Sequence, residues 1–196
     1  VLKFGGTSVG TVDSLRNVKA IVEGNTEPLI VVVSALGGIT DQLINTARQA
    51  ASADASHVES YSKIVERHHR VIEGIVPEVR RPEVLAVTDK LLEELGNIYR
   101  GVSLIKDLSD RTLDIIVSYG ERRSSVIVAN IIDGAVHRDS LSFIRTTKQW
   151  DKHILDNDVT QCLIHSVFDD IEAPVVVVPG FISCDSNGNV INLGRG

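Results

Sequence analysis

Apolar and polar positions along the chain change period several times, and each change marks an element. Val1-Leu2-Lys3-Phe4 is a short strand-like run closed by Gly5-Gly6-Thr7-Ser8, after which Leu15, Val18, Ile21 and Val22 recur at helical spacing. Pro28-Leu29-Ile30-Val31-Val32-Val33 is a continuous apolar run of strand length. It leads through Ser34-Ala35-Leu36-Gly37-Gly38 into a helix opening near Thr40. Strand, glycine loop and helix thus occur twice in succession. Such units place neighbouring strands parallel in a doubly wound sheet, because each crossover helix returns the chain to the same end.

From Thr40 to Asp133 strand signals almost vanish. Val84, Leu85, Leu91, Leu92, Leu95 and Ile98 mark an amphipathic helix in this block, with breaks expected near Pro77, Pro82, Gly101 and Gly120. A strand is expected at Ala135-Val136-His137, a helix over about Val159 to Phe168, and a core strand at Pro174-Val175-Val176-Val177-Val178. Asn187-Gly188, between Phe181-Ile182 and Val190-Ile191, predicts a hairpin with a type I′ turn, which needs two residues tolerant of positive φ. No solenoid repeat, low-complexity tract or linker interrupts the chain, and one domain is expected over residues 1–196.

Composition sharpens this α/β picture. Aromatics are only 4% of the chain while Val and Ile dominate its apolar set, as in buried parallel strands. A net charge of −6 provides no basic footprint for nucleic acid or an anionic membrane, so a small-molecule partner is expected. No apolar run approaches the roughly 18 residues of a membrane span, and the first residues do not read as a leader; the expected compartment is the cytoplasm. Cys162 and Cys184 lack metal-ligand spacing and read as reduced, structural residues. Val1 opens directly on a strand, Gly196 closes on a glycine-rich turn, and no Met is present, so both ends read as cut.

In an open α/β sheet, ligands collect beyond the carboxyl ends of the strands, which directs attention to the loops there. Lys3 followed by Gly5 and Gly6 offers a cation and then two side-chain-free residues whose N–H groups can approach an oxyanion. The spacing is that of neither a Walker loop nor a dinucleotide fingerprint. A plain tight turn with a solvated lysine is the other reading. The loop from Ser34 to Thr40 supplies two hydroxyls and backbone donors, although Thr40 also reads as a helix cap. Ser118-Tyr119-Gly120-Glu121-Arg122 offers a carboxylate that faces either the cleft or solvent. Leu193-Gly194-Arg195-Gly196 offers a guanidinium suited to a carboxylate, or a lone surface arginine.

Taken in this order, the segments resemble the aspartokinases of the amino-acid kinase superfamily. Lys3-Phe4-Gly5-Gly6-Thr7-Ser8 is similar to the family's opening signature, Val33-Ser34-Ala35 with Thr40 to its second loop, and Ser118-Tyr119-Gly120-Glu121 to its third. Gly180-Phe181-Ile182 and Leu193-Gly194-Arg195-Gly196 complete the series. The resemblance implies a three-layer α/β sandwich with an open, mainly parallel sheet, its carboxy-terminal part missing. It also implies ATP-dependent phosphorylation of the β-carboxylate of L-aspartate, the entry to lysine, threonine and methionine synthesis. Lys3 would be catalytic; Lys3, Gly5, Gly6 and Ser34 would hold ATP phosphates. Ser34, Thr40, Glu121, Phe181 and Arg195 would hold aspartate, with Thr40 and Glu121 on its amino group and Arg195 on its α-carboxylate. Mg2+ would be held mainly through the phosphates, with no protein ligand assigned here.

The family continues past Gly196 with Gly-Ser-Asp and a nucleotide-binding half, so this segment alone is expected to be inactive; the full-length enzyme is expected to be a homo-oligomer. The stretch from Gly96 to Ile105 leading into Ser118 resembles the kinase half of bifunctional aspartokinase/homoserine dehydrogenases. Kinases of the superfamily acting on glutamate, acetylglutamate, carbamate or a nucleotide monophosphate are the enzymatic alternative, and a non-catalytic amino-acid-binding or assembly module is another. His57, His68, His69, His137, His153 and His165 are scattered and read as surface or core residues. Asp139, Arg145 and Asp151 are left unassigned near the cleft rim.

Overall fold

The computed structural model describes residues 1–150 and 152–193. The chain begins with β1 (Leu2–Phe4), α1 (Val12–Glu23), β2 (Leu29–Val33) and α2 (Ile39–Ala51), the two predicted strand-loop-helix units. Thr11 caps α1 reciprocally with Ser14: the Ser14 N–H donates to Thr11 Oγ1 at 3.1 Å and the Thr11 N–H to Ser14 Oγ at 3.0 Å. Three long helices follow, α3 (Ser56–Ile75), α4 (Arg81–Ile105) and α5 (Asp110–Ile131). Next come β3 (Ala135–His137), β4 (Arg145–Gln149), β5 (Lys152–Leu155), α6 (Asn157–Phe168), β6 (Val175–Pro179), β7 (Ile182–Asp185) and β8 (Val190–Asn192).

Strands β1, β2, β6 and β3 form a fully parallel sheet in the order β1-β2-β6-β3. Alternation along its central strands divides the protein into layers. Val31, Val33, Val175 and Val177 face a large core shared with α1 to α5, while Val176 and Val178 face a smaller one with Phe143 and the Leu163, Val167 and Phe168 side of α6. The expected three-layer sandwich is therefore present, and burial on both faces explains why β2 and β6 read as unbroken apolar runs.

Several details differ from the sequence reading. A second, mixed sheet of order β5-β4-β7-β8 flanks the first; β4 and β5 carry Arg145, Thr146, Thr147, Lys148 and Lys152, polar residues that hid them. Ile21 is exposed although it shares the helical repeat of Leu15, Val18 and Val22. Gly101 and Gly120 do not break helices: α4 and α5 run through them, since the cost of about 1 kcal/mol per helical glycine is overcome by packing. Pro82 sits in the first turn of α4, so the break precedes it.

The hairpin after β7 is not type I′. Among its loop residues only Gly188 has positive φ, at 76°, and its N–H donates to Asp185 O at 3.0 Å. The Asp185 carboxylate accepts from the Asn187 and Asn189 N–H groups at 2.9 and 2.8 Å, building a three-residue loop with a left-handed final residue. Cys162 is exposed on α6 rather than structural, and Cys184 is partly buried; both are free. No described helix is long and apolar enough to cross a membrane.

Candidate functional site

The loops after β1, β2 and β6 meet α5 beyond the carboxyl ends of the parallel strands. Backbone proximity sets their spacing. A Cβ on Gly37 would lie 2.9 Å from Gly6 O, and one on Gly10 only 3.1 Å from the same oxygen, so the two glycine loops touch main chain to main chain. On Gly120 a Cβ would lie 2.8 Å from Ala35 Cβ; its absence lets α5 press against the loop after β2. Ser124, one turn further, donates through Oγ to Ser34 O at 2.5 Å and fastens the loop to the helix. Gly5 is different, because a Cβ there would meet nothing within 4 Å. The space on that side of its backbone is open, beside the crowded loops.

These contacts enclose a cleft of about 480 Å³ whose lining includes Gly6, Ser34, Thr40, Glu121 and Phe181. Five of the candidate residues, far apart in sequence, are thus brought to one place. Lys3 is not in the lining: it lies within β1, paired with Val32 and exposed, and reaches the site through its ammonium, 5.3 Å from the centre of the Phe181 ring. Gly5 adjoins the lining as the first residue of the turn closed by the Ser8 N–H on Gly5 O at 2.9 Å. Arg195 and Asp151 lie outside the described residues. Asp139 and Arg145 do not line the cleft. Asp139 pairs with Arg122 at 2.9 Å, and Arg145 donates to Leu141 O at 2.8 Å.

Thr40 does not cap α2. The helix begins at Ile39 with Gly38 as N-cap at φ 78° and no side-chain cap, so Thr40 lies in the first turn with its hydroxyl available to the cleft. The first turn of a helix attracts an anion through its N–H groups and dipole, although the Ile39 N–H is already engaged on Leu36 O at 2.9 Å. Glu121 is buried, 6% exposed, and its Oε2 has no hydrogen-bond partner. Burial raises its carboxyl to about 7, against the smaller opposing influence of backbone N–H groups at Glu121 and Ala35 and of the Arg123 charge. A cleft carboxyl that titrates near 7 with one oxygen unpartnered is poised to accept a cationic group. Phe181 holds a left-handed backbone, φ 63°, which costs a side-chain-bearing residue about 1–2 kcal/mol. The Gly180 N–H on Val33 O at 2.8 Å and the Leu193 N–H on Phe181 O at 2.9 Å impose it.

Sequence reasoning missed Asp41, Asp114 and Asn192, which also line the cleft. Asn192 Nδ2 donates to Asp114 Oδ1 at 2.9 Å and so closes one wall between β8 and α5. No local pattern signals that pair, since its members are far apart in sequence. A second cleft of about 350 Å³ lies between α3 and α4, floored by Tyr61 and Tyr99, and holds none of the candidate residues. Among the described residues no group of three His, Cys, Asp or Glu converges as a metal would require. His68 is fully buried and His137 bonds Ser125, consistent with core roles for both.

The sequence profile of the amino acid kinase family matches residues 1–196. Among similar proteins, aspartokinase 1 of the Arabidopsis thaliana chloroplast is 31% identical over 209 residues, covering all of this chain and 36% of the relative. The chloroplastic bifunctional aspartokinase/homoserine dehydrogenase 1 of the same plant is 25% identical, over 93% of this chain and 21% of the relative. The solved structure of E. coli aspartokinase III in complex with aspartate and ADP superposes with a TM-score of 0.82 at 26% identity, covering 99% of this chain and 43% of that one. The chain thus spans less than half the length of each of these relatives. The family match covers every residue, the fold is that of solved aspartokinases, and the chain belongs to the amino acid kinase family.

Proposed function

We propose that the chain is the substrate-gripping part of an aspartate kinase, which transfers the γ-phosphoryl group of ATP to the β-carboxylate of L-aspartate. The observation that carries this reading is the convergence of Gly6, Ser34, Thr40, Glu121 and Phe181 on one cleft. The similar enzymes include a stand-alone and a fused form, and the reading concerns the kinase part common to both. That an aspartokinase of the same fold is described with aspartate and ADP supports the choice of ligands.

In this reading the β-carboxylate oxygen attacks the γ-phosphorus, a new O–P bond forms, and the bond to the β–γ bridging oxygen breaks to release ADP. The nucleophile is already an anion, so no general base is needed. What the site must supply is position and positive charge against the oxygens of the moving group. Lys3 provides the cation, held over Phe181 at 5.3 Å, and the N–H groups of Gly5 and Gly6 with the Ser34 hydroxyl approach the phosphates. The open space at Gly5 fits this role. Glu121 and Thr40 take the substrate ammonium, Phe181 walls the pocket, and Arg195 pairs with the α-carboxylate. Mg2+ would be carried on the phosphates, since the described carboxylates form no cage, and no step is assigned to it.

Isothermal titration of the chain with L-aspartate and with L-glutamate tests the reading. Saturable aspartate binding, weaker for glutamate and weakened by Glu121→Gln, is expected. A folded chain that binds neither, or that prefers glutamate, refutes it.

A further inference from the structure

The two glycine loops are joined from behind by Arg67, a half-buried residue of α3 that the cleft does not include. Its Nη2 donates to Gly37 O in a short hydrogen bond and reaches Gly10 O at 3.4 Å, one carbonyl from each loop. Nη1 packs against Gly38, 3.6 Å from where a Cβ would stand. Among the described residues these neutral carbonyls are its only hydrogen-bond partners, so its charge is not cancelled by a carboxylate.

The Gly37 carbonyl occupies a decisive place. Leu36 to Ile39 form a turn closed by the Ile39 N–H on Leu36 O at 2.9 Å, and Gly38 at φ 78°, ψ −4° has the third-position geometry of a type II turn. Type I and type II turns differ by a flip of their central peptide, here Gly37–Gly38. In a trans peptide the C=O and the following N–H point in opposite directions. A carbonyl drawn toward Arg67 therefore sends the Gly38 N–H away from it, in a loop whose Gly37 and Gly38 both line the cleft. The flipped peptide would instead present a carbonyl oxygen there, which repels an anion.

We infer that Arg67 is a positioning residue for phosphoryl transfer, locking the Gly37–Gly38 peptide so that the Gly38 N–H faces the phosphate oxygens of ATP. The inference rests on the phosphate-binding reading of the cleft given above. Arg67 touches neither substrate; it acts through the peptide it holds and through its uncancelled positive charge behind the loop. Lysine in its place keeps the charge but lacks the planar fork that reaches two carbonyls at once.

The test is titration with ATP and with inorganic triphosphate of the wild-type chain, Arg67→Ala and Arg67→Lys, with the thermal midpoint of each, and of Arg67→Ala with guanidinium ion added. A loss of about tenfold or more in affinity for ATP or triphosphate is expected for Arg67→Ala, as for one charge-assisted hydrogen bond. A smaller loss is expected for Arg67→Lys, and partial recovery with guanidinium. Unchanged affinity, or a loss that follows a lowered midpoint and does not recover, overturns the inference. Should Arg67→Ala not fold, affinity for Arg67→Lys equal to wild type does the same. If the folded wild-type chain binds aspartate but neither ATP nor inorganic triphosphate, which needs no nucleoside pocket, the phosphate reading itself fails, and this inference falls with it.

Discussion

Neutralising Glu121 should change both stability and ligand binding in a way that depends on pH. Its carboxyl has an ordinary value of 4.5 and is raised by burial to about 7 in the folded protein. A folded value above the unfolded one means that the fold prefers the protonated form. The associated stability is complete below pH 4.5 and is lost as pH rises through 7, by an amount of about 3 kcal/mol. Glu121→Gln keeps the shape without the charge, so above pH 7 the unliganded variant should be more stable than wild type by up to that amount. Aspartate reverses the balance: its ammonium requires the ionised carboxylate, whose population rises from about one-tenth at pH 6 to about nine-tenths at pH 8. Wild-type affinity for L-aspartate should therefore increase about tenfold over that interval, with a proton released on binding at the acid end. Calorimetric titrations at pH 6, 7 and 8, in buffers of different ionisation enthalpy, measure both quantities. Glu121→Gln is the control for the histidines, of which buried His68 and His137 are shifted to lower values by desolvation. A flat affinity in wild type, or an equal slope in the variant, would refute the assignment of Glu121 to the ammonium.

Three further outcomes follow from the packing. Gly120→Ala places a methyl 2.8 Å from Ala35 Cβ and 3.3 Å from Leu43 Cδ1; a loss of about 1–3 kcal/mol in urea denaturation is expected, together with weaker aspartate binding as Glu121 shifts. Arg123 is fully buried, its Nη1 and Nη2 lack partners, and burial lowers it to about 10. Arg123→Met should leave the thermal midpoint unchanged or raise it, by the equivalent of up to about 4 kcal/mol; a large loss would show that the guanidinium is satisfied. Phe181→Gly relieves a left-handed backbone while removing the ring beside Lys3. Chemical denaturation should show stability within about 1 kcal/mol of wild type, and calorimetry a severalfold drop in aspartate affinity.

What the sequence by itself determined is the part of the fold that local patterns encode. The runs Leu29–Val33 and Val175–Val178 had to be buried on both faces, and the glycine loops at residues 5–6 and 37–38 had to end strands and precede helices. Gly5, Gly6, Ser34, Thr40, Glu121 and Phe181 were nameable through a resemblance of ordered motifs, whose spacing survives in a linear chain. Tertiary structure alone decided the rest. The polar strands β4 and β5 exist because β7 offers β4 an edge to pair with, and Gly120 stays helical because Ala35 and Leu43 pack where its side chain would be. Arg67 acquired its place through two carbonyls, one 57 and the other 30 residues away. The elevated Glu121 carboxyl has the same origin. Desolvation and hydrogen-bond partners are properties of what surrounds a group in space, and no residue carries that information in its own neighbourhood of the sequence.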